Sequence, residues 1–135
     1  REVERVAGDV VLLGFAATPV GVDVEEHPRA VAVAELIPTL HPRERDECLA
    51  LPEARRPEAF ARCWTRKEAY LKGTGTGLAE APSVSYVGTG EDPGVLPGWR
   101  LDDIDAPPGY AAASALALRE GNGPDGTGCT DGTGA

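Results

Sequence analysis

Three carboxylates in two distant segments have the residue type and the spacing of a magnesium site. Asp23 and Glu25 alternate with apolar side chains within residues 20–25, a pattern that predicts a β-strand with both carboxylates on one face. Glu68 lies on a predicted helix further along the chain. An oxygen-only set of this kind suits Mg²⁺. A solvated acidic strand face is the alternative interpretation.

Both lysines of the chain, Lys67 and Lys72, lie in one short segment, residues 60–72, although the chain otherwise takes its positive charge from arginine. Lysine and arginine are not interchangeable at a phosphate, because one presents a compact ammonium group and the other a planar fork. Six of the thirteen basic residues fall between positions 55 and 72, so this predicted helix is locally positive in a chain of net charge −9. An anionic ligand could dock there.

An ordinary structural role is also open for these residues. On the predicted helix, Lys67 falls in the middle of an apolar stripe, where its stem could run along the core and bring the ammonium group to the surface. Glu68 and Lys72 are four residues apart and could form a surface ion pair. The glycine-rich residues 73–77 either let backbone amides approach a phosphate or simply end the helix. The apolar stripe consists of Phe60, Cys63, Trp64 and Leu71.

The elements that must position these side chains form an α+β pattern. The predicted strands span residues 9–17, 20–25, 83–87, 99–104 and 110–118, and the predicted helices span residues 29–36, 42–49 and 58–72. A tight turn at Thr18 and Pro19 joins the first two strands, and prolines open the second and third helices. Strands, then helices, then strands predict an α+β domain with an antiparallel sheet over residues 1–119. The glycine-rich residues 120–135 cannot bury apolar surface and are predicted to be a disordered tail.

Composition narrows the class of protein. The net charge of −9 argues against general nucleic-acid binding. No apolar run approaches the roughly 20 residues of a membrane span, and no secretory signal is visible, so we predict a soluble cytoplasmic protein. The three cysteines lack metal-ligand spacing and are predicted to be reduced thiols. One domain of 135 residues has little material for a deep cleft, which favours a site shared with a partner.

Two short segments together resemble a known family. GVDVE at residues 21–25, followed by WTRKEAYLK at residues 64–72, is similar to the paired signatures of the 4'-phosphopantetheinyl transferases. The tryptophan and the KGTGTGL continuation are closer to the surfactin-synthetase-activating type than to the small holo-acyl-carrier-protein synthases. The resemblance extends from about Gly8 to Leu118, because PGY at residues 108–110 and the small-residue strand after it are similar to the family's closing strand.

The resemblance implies a group transfer from coenzyme A. In this family the phosphopantetheine arm passes to a serine of an acyl or peptidyl carrier protein, and adenosine 3',5'-bisphosphate is released. Carried over to this sequence, Asp23, Glu25 and Glu68 would hold Mg²⁺ on the pyrophosphate. Lys67 and Lys72 would contact the phosphates of coenzyme A, and Asp23 would also belong to the coenzyme A site.

Glu44 matches a family glutamate near the reacting hydroxyl, so the resemblance implies a catalytic set of Glu68, Glu44 and Lys72. The metal and the lysines would neutralise charge on the phosphoryl and leaving groups, while a carboxylate accepts the serine proton. Which carboxylate is the base stays open. Without the resemblance, Glu44 simply favours the dipole of the helix in whose first turn it lies. His27 and His41 have no recognisable partners and are predicted as surface or turn residues.

The sequence departs from the family pattern near its start. Larger members consist of two similar halves with coenzyme A between them, and a Ser-His-Ser-type motif precedes the first strand of the second half. Residues 5–8 occupy that place and are Arg-Val-Ala-Gly, so the resemblance covers the second half alone. The alternative function is therefore a catalytically incompetent half that binds a carrier protein or completes another subunit. For such a half we expect apolar surface on residues 10–15 and 110–118, with a homo-oligomer or a missing N-terminal half covering it.

Overall fold

A computed structural model describes residues 2–75 and 80–118, and they form the α+β arrangement predicted from the sequence. The strands are β1 (Glu2–Ala7), β2 (Val10–Phe15), β3 (Val20–Glu26), β4 (Trp99–Ile104) and β5 (Tyr110–Ala117). The helices are α1 (Ala30–Leu36), α2 (Pro42–Leu49) and α3 (Arg56–Thr74), with short 3₁₀ turns at Ile37–Thr39 and Glu53–Arg55. The tail predicted at residues 120–135 lies outside the described residues.

β5 is the centre of the main sheet. β3 and β4 pair with it in antiparallel fashion on either side, and the register places Asp23 opposite Ala113. Ala112, Ala113 and Ala115 of β5 are buried. Both edges of β5 are paired, so the apolar surface expected on residues 110–118 is limited, and Leu118 at its end is 52% exposed.

β1 was not predicted from the sequence, and it changes the pairing of the first predicted strand. The strand predicted over residues 9–17 is β2, which pairs with β1 in a separate two-stranded hairpin and not with β3. The hairpin packs against β3, and its turn contains Gly8 at a φ of +56°, a conformation that favours glycine. The turn at Thr18 and Pro19 thus links strands of two different sheets.

The strand predicted over residues 83–87 is wrong, because this segment consists of turns and irregular backbone. Its alternating Ser-Val-Ser-Tyr-Val pattern is typical of a half-buried strand. The N–H groups of Val87 and Gly88, however, donate to the carboxylate of Glu44 and not to a neighbouring strand. Since buried backbone groups need a partner of some kind, a side chain here replaces the sheet.

α2 begins and ends at the predicted residues, and a reciprocal capping box fixes its start. Nδ1 of His41 accepts from the Arg43 N–H at 3.1 Å, and the Glu44 carboxylate accepts from the His41 N–H at 3.1 Å. His41 is thus a turn residue, as predicted, that caps a helix and has partners that the sequence did not reveal. The cap turns the carboxylate of Glu44 into the interior of the protein, where it is fully buried.

α3 crosses β3 and β5 and is two residues longer at each end than predicted. Gly75, at a φ of +75°, caps it, so the prediction that Gly73 ends the helix is wrong. The helix lies unusually close to β3, because a Cβ atom added to Gly21 would sit 1.9 Å from the carbonyl oxygen of Ala69. Glycine at this position therefore permits the backbone contact that brings β3 alongside the last turns of α3.

The larger apolar core lies where α1, α2 and α3 meet. Its buried members are Val33, Ile37, Leu40, Cys48, Ala59, Phe60, Cys63 and Val87. Cys48 and Cys63 are free thiols, as predicted, while the third cysteine, Cys129, lies outside the described residues. Burial raises the pKa of Cys48 to about 11 and raises the pKa of Cys63 well above its usual range. Both thiols are therefore protonated packing groups and not nucleophiles.

Candidate active site

Asp23 and Glu25 lie side by side on β3, where Arg5 of β1 bridges them. Nε of Arg5 donates to Oδ1 of Asp23 at 2.9 Å, and Nη2 donates to Oε2 of Glu25 at 3.2 Å. Asp23 is 0% exposed, so the alternative of a solvated acidic strand face is wrong for this residue. Its other oxygen, Oδ2, is buried without a hydrogen-bond partner among the described residues. Such an orphaned carboxylate oxygen marks a place for an ion or a water molecule.

Lys72 of α3 supplies a second positive charge to the same carboxylate. Its Nζ lies 2.7 Å from Oδ1 of Asp23, so one ion pair joins α3 to β3. The alternative of a surface pair between Lys72 and Glu68 is wrong, because the ammonium group is held by Asp23. The side chain of Lys72 is 40% exposed, which leaves the ammonium group accessible to a ligand.

The Asp23 carboxylate affects the pKa of its neighbour Glu25. Burial raises the pKa of Glu25, and the neighbouring Asp23 carboxylate raises it further, whereas Arg5 acts in the opposite direction. The hydrogen bond to Asp23 is in turn the largest cause of a raised pKa of Arg5. Two acids this close are unfavourable when both are charged, so the pair attracts positive charge.

Glu68 stands apart from this pair. It lines a cavity of about 320 Å³ together with Trp64, Leu71, Lys72 and residues 80–82. Within residues 2–75 and 80–118, no three His, Cys, Asp or Glu side chains lie close enough together to hold a metal ion. Lys72 is therefore the link between the two parts of the site, because it lines the cavity of Glu68 and pairs with Asp23.

Lys67 and Glu44 form a buried ion pair. Nζ of Lys67 lies 2.6 Å from Oε1 of Glu44, and the two side chains are 3% and 0% exposed. The ammonium group also donates to the carbonyl oxygen of Ser85. The alternative of a stem that brings Lys67 to the surface is thus wrong, because the charge itself is inside the protein. A buried pair of this kind holds its surroundings in place, since neither partner can lose the other without leaving an uncompensated charge.

Charged side chains of α2 and α3 hold the whole of residues 85–91. Glu47 accepts from the N–H of Thr89 at 3.0 Å and from its hydroxyl at 2.8 Å. Arg66 is fully buried, donates to the carbonyl oxygens of Gly88 and Gly90, and pairs with Asp103 at 2.6 Å. The sequence did not single out Arg66 or Glu47 individually. The positive charge of residues 55–72 is therefore only partly available to an anionic ligand, because Arg66 and Lys67 are already neutralised inside.

A family model described as the 4'-phosphopantetheinyl transferase superfamily matches residues 19–105, which is more than half of the chain. The chain belongs to this superfamily. The match includes both signature segments, so the Asp23–Lys72 contact lies within the part of the chain that defines this 4'-phosphopantetheinyl transferase domain.

Two curated relatives carry the family's name. The 4'-phosphopantetheinyl transferase HetI of Nostoc sp. is 37% identical over 79 residues, which are 56% of this chain and 33% of HetI. The 4'-phosphopantetheinyl transferase psf-1 of Bacillus pumilus is 33% identical over 102 residues, which are 75% of this chain and 42% of psf-1. The chain thus spans less than half the length of either relative. Of the helices in the described ranges 2–75 and 80–118, none has the length and apolarity to cross a membrane.

Proposed function

We propose that this domain takes part in the transfer of the 4'-phosphopantetheine group from coenzyme A to a serine of an acyl or peptidyl carrier protein. The observation that carries this proposal is the 2.7 Å ion pair between Lys72 and Asp23. It brings the two signature segments together beside a buried carboxylate oxygen that has no hydrogen-bond partner in the described part of the chain. Membership of the superfamily supports the same reaction class.

Asp23 and Glu25 are the residues that we propose hold Mg²⁺. Both offer the hard carboxylate oxygens that Mg²⁺ prefers, and Oδ2 of Asp23 has no hydrogen-bond partner within residues 2–75 and 80–118. The carboxylate pair already attracts two cationic side chains, which supports its affinity for positive charge. Glu68 stands apart from this pair in the described structure, and we propose that it joins the metal set from α3 when the ligand binds. The bound metal would neutralise negative charge on the pyrophosphate of coenzyme A.

Lys72 is the lysine that we propose contacts the phosphates of coenzyme A. Its ammonium group is partly exposed, and Asp23 fixes its position, so Asp23 serves the coenzyme A site through Lys72. The burial of Lys67 against Glu44 argues against the phosphate contact predicted for it. We assign Lys67 a positioning role instead.

Glu68 is the carboxylate that we propose acts on the reacting hydroxyl. Glu44 already accepts from Lys67 and from the backbone N–H groups of His41, Val87 and Gly88. A carboxylate with four donors already on its oxygens has no lone pair left to accept from a serine hydroxyl. Glu68 lines an open cavity next to Lys72, which favours it for accepting the serine proton. Glu44 would then position Val87 and Gly88, whose N–H groups it accepts from, beside the site.

Calorimetric titration with coenzyme A, in the presence and absence of Mg²⁺, tests this assignment. We expect tighter binding with Mg²⁺, and loss of that difference in Glu68→Ala and Asp23→Ala. Glu58→Ala is the matched control, because Glu58 lies on the same helix with a 61% exposed side chain. Equal affinity with and without Mg²⁺ in the unmodified chain would contradict the metal site.

A transfer assay separates the proposed reaction from the alternative function. Mass spectrometry of a carrier protein incubated with the chain, coenzyme A and Mg²⁺ detects the added phosphopantetheine arm. Transfer that disappears in Lys72→Ala supports the proposal. Carrier-protein binding without transfer supports a half-domain that acts as a binding or assembly module.

A further inference from the structure

We infer that Arg5 competes with the metal for its binding site. The guanidinium group of Arg5 occupies the carboxylate pair in the unliganded chain and must leave when Mg²⁺ binds Asp23 and Glu25. This inference rests on the metal site of the proposed function. It adds a conformational step within this chain, in which a side chain of the β1–β2 hairpin is displaced from β3.

Arg5 touches one oxygen of each carboxylate. It lies 2.9 Å from Oδ1 of Asp23 and 3.2 Å from Oε2 of Glu25. Mg²⁺ binds carboxylate oxygens at about 2.0–2.1 Å and demands near-ideal octahedral geometry. A guanidinium group between the two carboxylates fills the space for those ligands, and its charge repels a second cation nearby.

Lys72 contacts one of the two carboxylates. It shares Oδ1 of Asp23 with Arg5, whereas among the residues that the structure describes only Arg5 also pairs with Glu25. With Arg5 and Lys72 in place, two positive charges already balance the two carboxylates. Entry of a divalent cation is therefore favourable only if one of the two side chains leaves, and Arg5 is the one that spans both ligands.

The position of Arg5 in the fold permits this displacement. Arg5 lies on a two-stranded hairpin that has no backbone ladder to the main sheet, so its departure breaks only side-chain contacts with β3. Its side chain is 34% exposed and can turn toward solvent. Asp23, in contrast, is fully buried and fixed to the central sheet. The Asp23 carboxylate thus stays in place while the Arg5 side chain moves.

Metal binding to the full chain tests the inference directly. Titration with Mn²⁺, followed by electron paramagnetic resonance of the free ion, measures affinity without coenzyme A or carrier protein. Because binding and displacement are reciprocal, we expect Arg5→Ala to bind Mn²⁺ about tenfold more tightly, the effect of removing one competing charged hydrogen-bond donor. Arg100→Ala is the control, since it removes the same charge from an exposed pair with Asp102 on β4 and should leave the affinity unchanged.

Each outcome decides between the inference and the proposed function. Unchanged or weaker Mn²⁺ binding by Arg5→Ala overturns the inference and leaves the metal site standing. Absence of Mn²⁺ binding in the unmodified chain and in both variants overturns the metal site and the inference together. Tighter binding by Arg5→Ala and Arg100→Ala alike overturns the inference, because net charge alone would then explain the change.

A measurement on the unmodified chain covers the case in which Arg5→Ala does not fold. Phenylglyoxal modifies accessible guanidinium groups, and peptide mapping locates the modified residues. We expect the modification of Arg5 to increase several-fold with Mg²⁺, while that of Arg100 stays constant. Modification of Arg5 that does not change at saturating Mg²⁺ overturns the inference.

Discussion

Replacing each of the two signature lysines by methionine should affect a different property. Lys67→Met should lower the stability of the fold, and Lys72→Met should weaken coenzyme A binding. Lys67→Met should destabilise the fold strongly, because it leaves the Glu44 carboxylate charged and buried without its partner. Lys72→Met should leave the fold nearly intact, because the Lys72 side chain is 40% exposed and Asp23 keeps Arg5 as a second partner. The same change on one helix therefore separates positioning from ligand binding.

The magnitudes follow from burial. Removing one partner of a buried pair costs about 3–5 kcal/mol, whereas losing an exposed or half-exposed pair costs about 1 kcal/mol or less. A domain of this size is stable by about 5–15 kcal/mol, so Lys67→Met should remove a large part of the total. For coenzyme A binding the order reverses, since Lys72→Met loses a charge-assisted phosphate contact of about 1.5–3 kcal/mol.

Urea unfolding monitored by tryptophan fluorescence measures the first effect, and calorimetry with coenzyme A under folding conditions measures the second. The double variant Lys67→Met with Glu44→Gln should recover part of the lost stability, because it removes the uncompensated charge. Equal free energies of unfolding for Lys67→Met and Lys72→Met would refute the reasoning. So would a loss of coenzyme A affinity in folded Lys67→Met as large as that in Lys72→Met.

Three further predictions concern packing, pH and assembly. Gly21→Ala should destabilise the chain by several kcal/mol in urea unfolding, because its Cβ would overlap the α3 backbone, whereas Gly90→Ala, with open space around it, should be nearly neutral. Glu25 has a raised pKa in the folded chain, so its ionisation opposes folding and Glu25→Gln should stabilise the chain at pH 7. The difference in free energy of unfolding between Glu25→Gln and the unmodified chain should shrink as pH falls through the ordinary glutamate range near about 4.3. A constant difference from pH 3 to 8 would contradict this. Val6 and Leu13 of the hairpin are 46% and 51% exposed, so sedimentation at micromolar concentration should detect a homo-oligomer that Leu13→Glu disperses, and a monodisperse active monomer would contradict it.

The helices could be predicted well because their signals are local. Pro42 at the first position and Pro52 after the last turn bound α2, and the apolar stripe of α3 correctly placed Lys67 on the buried face. A phosphate contact was predicted for Lys67 from its residue type. Whether Lys67 is free to make that contact depends on where its ion-pair partner lies in the fold. Glu44 is more than twenty residues away in sequence, and no periodicity identifies such a partner.

The irregular segment at residues 85–91 could not be predicted for a related reason. Its alternating pattern favours a strand, and only the tertiary positions of Glu44, Glu47 and Arg66 supply the side-chain partners that replace a strand ladder. β1 was missed because its apolar residues, Val3, Val6 and Ala7, do not alternate regularly with its charged residues. The carboxylate pair on β3 was predicted because a period of two needs no tertiary information, while the bridging Arg5 belongs to the unpredicted strand.

The second signature segment contains two interleaved sets of residues that selection would treat differently. Arg66 and Lys67 point inward and maintain the fold, whereas Glu68 and Lys72 border the open cavity. A related protein that no longer carried out the reaction would still need residues 85–91 held in place. Arg66 and Lys67 should therefore be retained after Glu68 and Lys72 have been substituted. Among sequences that share this signature, the residues at positions 68 and 72 should therefore distinguish active domains from inactive ones better than overall sequence similarity to the family does.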